Sequence, residues 1–232
     1  MIRMSFGSLT TMEIPSSVET LGDYAFSYCV NLAEVALNEG LKSLGRETFA
    51  HCTKLQTLTL PSTLAEIGKW AFRGSGIRSI KMPASIKAIG YRAFDGCTGL
   101  TKLTIPSSVT SIEYNAFYRC SMLRSVTIPS CVTRLKEIIS PMDSLERVVV
   151  SEGVSSIDDR LFSGCSGLVS VSLPLSVTNI SKSAFCDCSS LLRIYVPVGK
   201  EIDTSVLPPS ASIGWSISVS VAGCVDEYTY DG

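Results

Sequence analysis

Cysteine is the one residue present in enough copies, at regular enough spacing, to suggest chemistry. The 232-residue chain has nine, and six of them (Cys29, Cys52, Cys97, Cys120, Cys165 and Cys188) recur at one place in a repeating phrase, with Ser75 filling a gap. Buried thiols at such a position behave as small apolar core residues. Disulfides are the rival: rungs spaced like strands, about 4.8 Å apart, would bring neighbouring cysteines within bonding range. If the cysteines ride on helical turns, neighbours stand roughly 8–10 Å apart and a bond needs distortion. Free thiols are the expectation. Cys186 and Cys188 lack a second ligand pair at zinc spacing, and the single histidine, His51, reads as a solvent-facing residue beside Cys52. One histidine leaves no Ser-His-Asp or Cys-His set. Within the array carboxylates are scattered apart from Asp158-Asp159, and no phosphate-cradling glycine loop occurs. The sequence therefore offers no catalytic residue, no cofactor site and no metal site, and the chain reads as a non-enzyme.

What positions the cysteines is a repeat. Phe26 recurs as Phe49, Phe72, Phe94, Phe117, Phe162 and Phe185. Leucine or isoleucine stands five residues before it, usually alanine just before and cysteine three after. A leucine and a strand ending in proline follow. Residues 107–129, SSVTSIEYNAFYRCSMLRSVTIP, give the unit in full. A period of 22–23 residues is the signature of a solenoid. In Leu100-Thr-Lys-Leu-Thr-Ile105, Leu103 and Ile105 alternate with Lys102 and Thr104, the pattern of a half-buried strand. Proline marks the strand's end, because it cannot donate a ladder hydrogen bond. An apolar pair such as Val109/Ile112 follows, with Gly22, Gly45, Gly68 or Gly90 supplying a bend in the early repeats. The Phe-x-x-Cys-x-x-Leu spacing of three predicts a short helical turn with all three side chains inward.

Two places break the rhythm. Residues 130–150 lose one residue and the Ala-Phe-x-x-Cys phrase; Ile138 or Ile139 stands in for phenylalanine and Pro141 interrupts. That stretch reads as drift in one repeat or as a bulge that creates a binding surface. After Pro197, Pro208-Pro209 occupy the place of the next phenylalanine, and the alternation through Ile213, Trp215, Ile217, Val219 and Val221 predicts a strand or hairpin. The division expected is an array of about eight turns over 1–197, opening in mid-repeat, and a cap with a loose acidic tail over 198–232. The start of another module is the alternative for the second part.

The phrase I-x-x-x-A-F-x-x-C-x-x-L-x-x-V-x-I-P, carried over residues 9–197, resembles the BspA-like class of leucine-rich repeats. That resemblance implies an α/β, right-handed leucine-rich-repeat solenoid, a horseshoe with a parallel sheet on its concave side and short helical turns. It also implies a surface protein that adheres to host proteins. A formal net charge of −1 gives no electrostatic case for nucleic acid, and no apolar run reaches membrane-spanning length, so no membrane insertion is expected. The start MIRMSFGSLTTMEIP lacks a stretch of signal-peptide length. The chain is expected to be a fragment of a longer array. It would be extracellular if the whole protein is exported and cytoplasmic if the chain is complete.

Function then falls to the outward face of the sheet. One column is Thr11, Glu34, Thr57, Ser79, Lys102, Ser125, Arg147, Ser170 and Arg193; the next runs from Glu13 through Lys81 to Tyr195. Interface anchors are most often Trp, Tyr or Arg, which singles out Arg147, Arg193 and Tyr195, with Lys81 and Lys102 beside them. The expectation is a module that binds a protein, or a glycan, through this face in an adhesin-like role. The alternative is an intracellular scaffold or structural subunit, toward which free cysteines and a single Asn-x-Ser/Thr site at Asn179 lean.

Overall fold

A computed structural model describes residues 6–130, 142–217 and 228–230. The substitutes at Ile138, Ile139 and Pro141, together with Val219, Val221 and the acidic tail at 226–227 and 231, lie outside the described residues. So do Cys131 and Cys224.

The alternating stretch of each repeat is a short strand whose middle residue points inward. Leu58, Ile80 and Leu103 are buried while Thr57, Thr59, Ser79, Lys81, Lys102 and Thr104 on either side are exposed. Strands from successive repeats lie parallel and in register. Lys102 pairs with Ser125, Ser125 with Arg147, Arg147 with Ser170, Ser170 with Arg193, and Arg193 with Ser212. Proline closes most of the strands and opens a β-turn, in which the N–H three residues on donates to the Pro15, Pro61, Pro83, Pro106 or Pro174 carbonyl at 3.0–3.4 Å; Asn38 and Ser151 take the same place after Glu34–Ala36 and Arg147–Val150.

A second, narrower parallel ladder follows on the next side of each rung. Thr20–Leu21, Ser43–Leu44, Glu66–Ile67, Ala88–Ile89 and Ser111–Ile112 stack in chain order, and Ser156–Ile157 pairs with Asn179–Ile180. The glycine after this segment has a different reason from the one expected. Gly45 and Gly68 have no left-handed φ; a Cβ on Gly68 would lie 2.5 Å from the Leu44 carbonyl oxygen, so it is the closeness of the neighbouring rung that excludes a side chain.

The third side overturns the helical turn. Around Phe26, alternate N–H groups point to the next rung: Tyr24, Phe26 and Tyr28 donate to the carbonyls of Arg46, Thr48 and Ala50 at 2.7–2.8 Å. The residues between them, Ala25, Ser27 and Cys29, donate three residues back at 3.1–3.3 Å. In six rungs two residues are left-handed, at φ between 51° and 76°: Tyr24/Tyr28, Glu47/His51, Trp70/Gly74, Arg92/Gly96, Asn115/Arg119 and Arg160/Gly164; around Phe185 Asp187 alone is, at 61°. A positive φ at the third position of a turn belongs to type II geometry. The physical reason is spacing. Packed helices need about 8–10 Å between axes, whereas the main sheet sets rungs about 4.8 Å apart. A chain of stacked tight turns fits that interval and satisfies its N–H groups in the adjacent rung; a helix does not.

Inside this coil the phenylalanines stack with centroids 5.1–5.7 Å apart from Phe26 through Phe117, and Phe162 on Phe185 at 5.5 Å. Phe49, Phe72 and Phe94 are fully buried. Each such pair contributes roughly 0.5–1.5 kcal/mol beyond the area it buries. At the far end Ser212–Ile217 adds a further parallel strand beside Arg193–Pro197, and Tyr228–Tyr230 pairs with it antiparallel. Lys200 Nζ donates to the Leu175 carbonyl at 2.9 Å and to that of Val177, tying the last crossing to the rung beneath it.

Candidate functional site

The cysteines lie in the core as expected, at strand-like rather than helical spacing, yet each described one is a free thiol. The Sγ–H of Cys52 donates to the Phe26 carbonyl at 3.1 Å, Cys97 to Phe72 at 3.0 Å, Cys120 to Phe94 at 3.3 Å and Cys188 to Phe162 at 3.0 Å. Each thiol therefore hydrogen-bonds the phenylalanine of the rung before it. Burial pushes Cys52, Cys97 and Cys188 up to about 12, so they stay protonated at neutral pH. Cys186 alone among the described cysteines is exposed. No group of three or more His, Cys, Asp or Glu side chains among the described residues could hold a metal ion.

His51 is not the simple surface residue expected. Its ring stacks on Tyr28 at 4.5 Å and lies over Gly74, where a Cβ would meet Nδ1 at 2.8 Å. Burial, and then the nearby Arg73 charge, hold its pKa below the usual 6.5 against smaller opposing effects of Glu47 and Asp95.

The sheet face carries Lys102, Arg147 and Arg193 in one paired row, on every second strand, with Ser125 and Ser170 between them. At about 4.8 Å per strand the cations recur roughly every 10 Å. Lys81 lies outward on the strand before Lys102's. Tyr195 sits in the adjoining row, beside Ser172, and its ring covers Gly214 of the next strand, where a Cβ would meet it at 2.8 Å. The acidic residues of the face lie at the other end: Glu13 and Glu34 line a shallow cavity of about 260 Å³ with Thr11, Met12 and Ala36. A second cavity, about 320 Å³, opens where the narrow ladder stops, between Val177–Ile180 and Lys200–Asp203.

The sequence reading passed over a third surface, on the stacked turns. Arg46 lies over Tyr24 at 5.4 Å and over Trp70 at 4.8 Å; Lys69 lies over Trp70 at 4.4 Å and Tyr91 at 4.8 Å. Tyr91 stacks on Tyr114 at 6.4 Å. The ridge was legible in principle. In four of the first five rungs the two positions before Ala-Phe hold an aromatic residue (Tyr24, Trp70, Tyr91, Tyr114), and in the second Arg46 precedes Thr48-Phe49, whereas Asp159-Arg160 and Lys182-Ser183 hold no aromatic.

The model of the BspA-type leucine-rich repeat region matches residues 4–97 and 67–192, with six copies. The chain belongs to the BspA-type leucine-rich repeat family. Arrays of this family are generally non-enzymatic interaction scaffolds. The solved leucine-rich repeat protein of T. pallidum, TpLRR, is 27% identical, with 80% of this chain and 79% of that one covered and a TM-score of 0.57. A leucine-rich cell surface protein of Faecalibacterium prausnitzii is 23% identical over 83% of this chain and 80% of that one, at a TM-score of 0.40. A leucine-rich repeat protein of Bacteroides ovatus is 19% identical over 90% and 84%, at 0.37. No curated protein matches the sequence.

Proposed function

We propose that this BspA-type array is an adhesin-like module that binds a protein, or a glycan, through the outward face of its main sheet. Lys81, Lys102, Arg147, Arg193 and Tyr195 are its contact residues. The observation that carries this reading is the row Lys102–Ser125–Arg147–Ser170–Arg193: basic residues on alternate strands, with serines between them. Rigid, parallel strands hold the backbone at fixed intervals, so the ordering that opposes binding is confined to the side chains. Tyr195, laid over Gly214, adds a flat apolar platform at the same end. Residues 1–197 form the binding array in this reading, and 198–232 close its last rung.

Binding of the chain to arrayed purified proteins and glycans tests the proposal, with the triple variant Arg147→Ala/Arg193→Ala/Tyr195→Ala run beside it. Loss of at least about tenfold in affinity is expected if these are the anchors. A triple variant that binds its targets as the parent does places the contact elsewhere.

A further inference from the structure

The aromatic ridge on the stacked turns runs along two adjoining rows. Tyr24 and Trp70 stand in one row, on the first and third rungs, with Arg46 between them; Tyr91 and Tyr114, on the fourth and fifth rungs, stand one residue over, and Tyr91 packs edge-on against Trp70 at 5.7 Å. Two rungs measure roughly 10 Å at strand spacing. A polyproline II helix advances about 9.3 Å in each three-residue turn. The two prolines of a Pro-x-x-Pro segment therefore fall beside Tyr24 and Trp70 to within about 1 Å, and the residues that follow run on to Tyr91 and Tyr114. We infer that this ridge is a second binding surface, separate from the sheet face, and that it takes a proline-rich peptide in the polyproline II conformation.

Three further observations favour that ligand. Tyr24 and Tyr114 are about half exposed, at 48% and 51%, so their rings are open to a proline ring. Trp70 Nε1–H and Arg92 Nε–H are buried donors without an acceptor, and they are the only such nitrogens among the described side chains. Polyproline II leaves every backbone carbonyl without an internal hydrogen bond, so it brings acceptors to these two donors. Arg46 and Lys69, which lie over the Trp70 ring, are exposed side chains that can swing aside to open that ring to a ligand. The ridge is also not a bare cationic stripe: Arg46 is paired with Glu47 at 3.4 Å, and Arg92 and Arg73 approach Asp95 at 3.6 and 3.9 Å. That pairing disfavours a polyanion and suits a neutral, apolar chain.

Trp70 reports the binding directly once Trp215→Phe removes the other tryptophan. Titration of that protein with a proline decapeptide should shift Trp70 fluorescence saturably, while a glycine-serine decapeptide should not. Tyr24→Ala and Tyr114→Ala should each weaken binding about fivefold or more. Tyr114→Phe, which keeps the ring, should bind nearly as the parent does, and Arg147→Ala/Arg193→Ala on the sheet face should leave the titration unchanged. No saturable shift with the proline decapeptide overturns the inference. So does an equal response to the glycine-serine peptide. A response only to neutral oligosaccharides or to polyglutamate would assign the ridge to those ligands instead.

Discussion

At the scale of single residues, the inward cysteines and His51 show how a repeat places groups that look reactive where they do not react. A thiol pushed up by burial and donating to a carbonyl presents almost no thiolate at pH 8. Iodoacetamide labelling of the native protein at that pH, read by peptide mapping, should modify Cys186 and leave Cys52, Cys97, Cys120, Cys165 and Cys188 untouched until denaturant is added. Rapid labelling of Cys97 in the native state would show that its rung opens. His51 offers a separate check because it is the single histidine. Its folded pKa lies below the unfolded value, so its neutral form stabilises the fold above about pH 6.5, and that contribution is lost as pH falls through the folded pKa. An NMR titration of its ring proton should have a midpoint below 6.5; a midpoint at or above that value would mean that the Tyr28–His51 stack is open in solution.

At the scale of elements, the strands were legible because alternation is a strong local signal. Lys102–Leu103–Thr104 and its counterparts have the faces and the register that the repeat implied. The third side was not legible, because phenylalanine, cysteine and leucine three apart fit an inward helical face and an inward run of tight turns equally well. What decides between them is the interval between rungs, and no single repeat contains that information. The left-handed positions give the sharpest test. At Arg160, φ is 56° and the side chain is exposed. Arg160→Gly should be close to neutral, whereas Arg160→Val should cost about 1–2 kcal/mol more in a denaturant melt, since a branched Cβ is strained there. A helix would reverse the order, because glycine is the poorer helix former of the two.

At the scale of the whole molecule, three ladders of backbone hydrogen bonds and the stacked phenylalanines fix the rungs, so the repeating residues account for the fold. In the proposed reading, binding falls to the positions that do not repeat. The sheet face was named from sequence because its register is that of the strands, and the basic row at Lys102, Arg147 and Arg193 followed. The ridge from Tyr24 to Tyr114 went unnoticed because a helical turn would have splayed those side chains apart; only stacked turns bring them into contact. The most direct measurement of the central claim is affinity on arrays of purified proteins and glycans, comparing the parent chain with Arg147→Ala/Arg193→Ala/Tyr195→Ala at matched thermal stability. The account predicts that the parent binds and that the triple variant loses at least about tenfold. A parent chain that binds nothing, or a variant that binds unchanged, would contradict it.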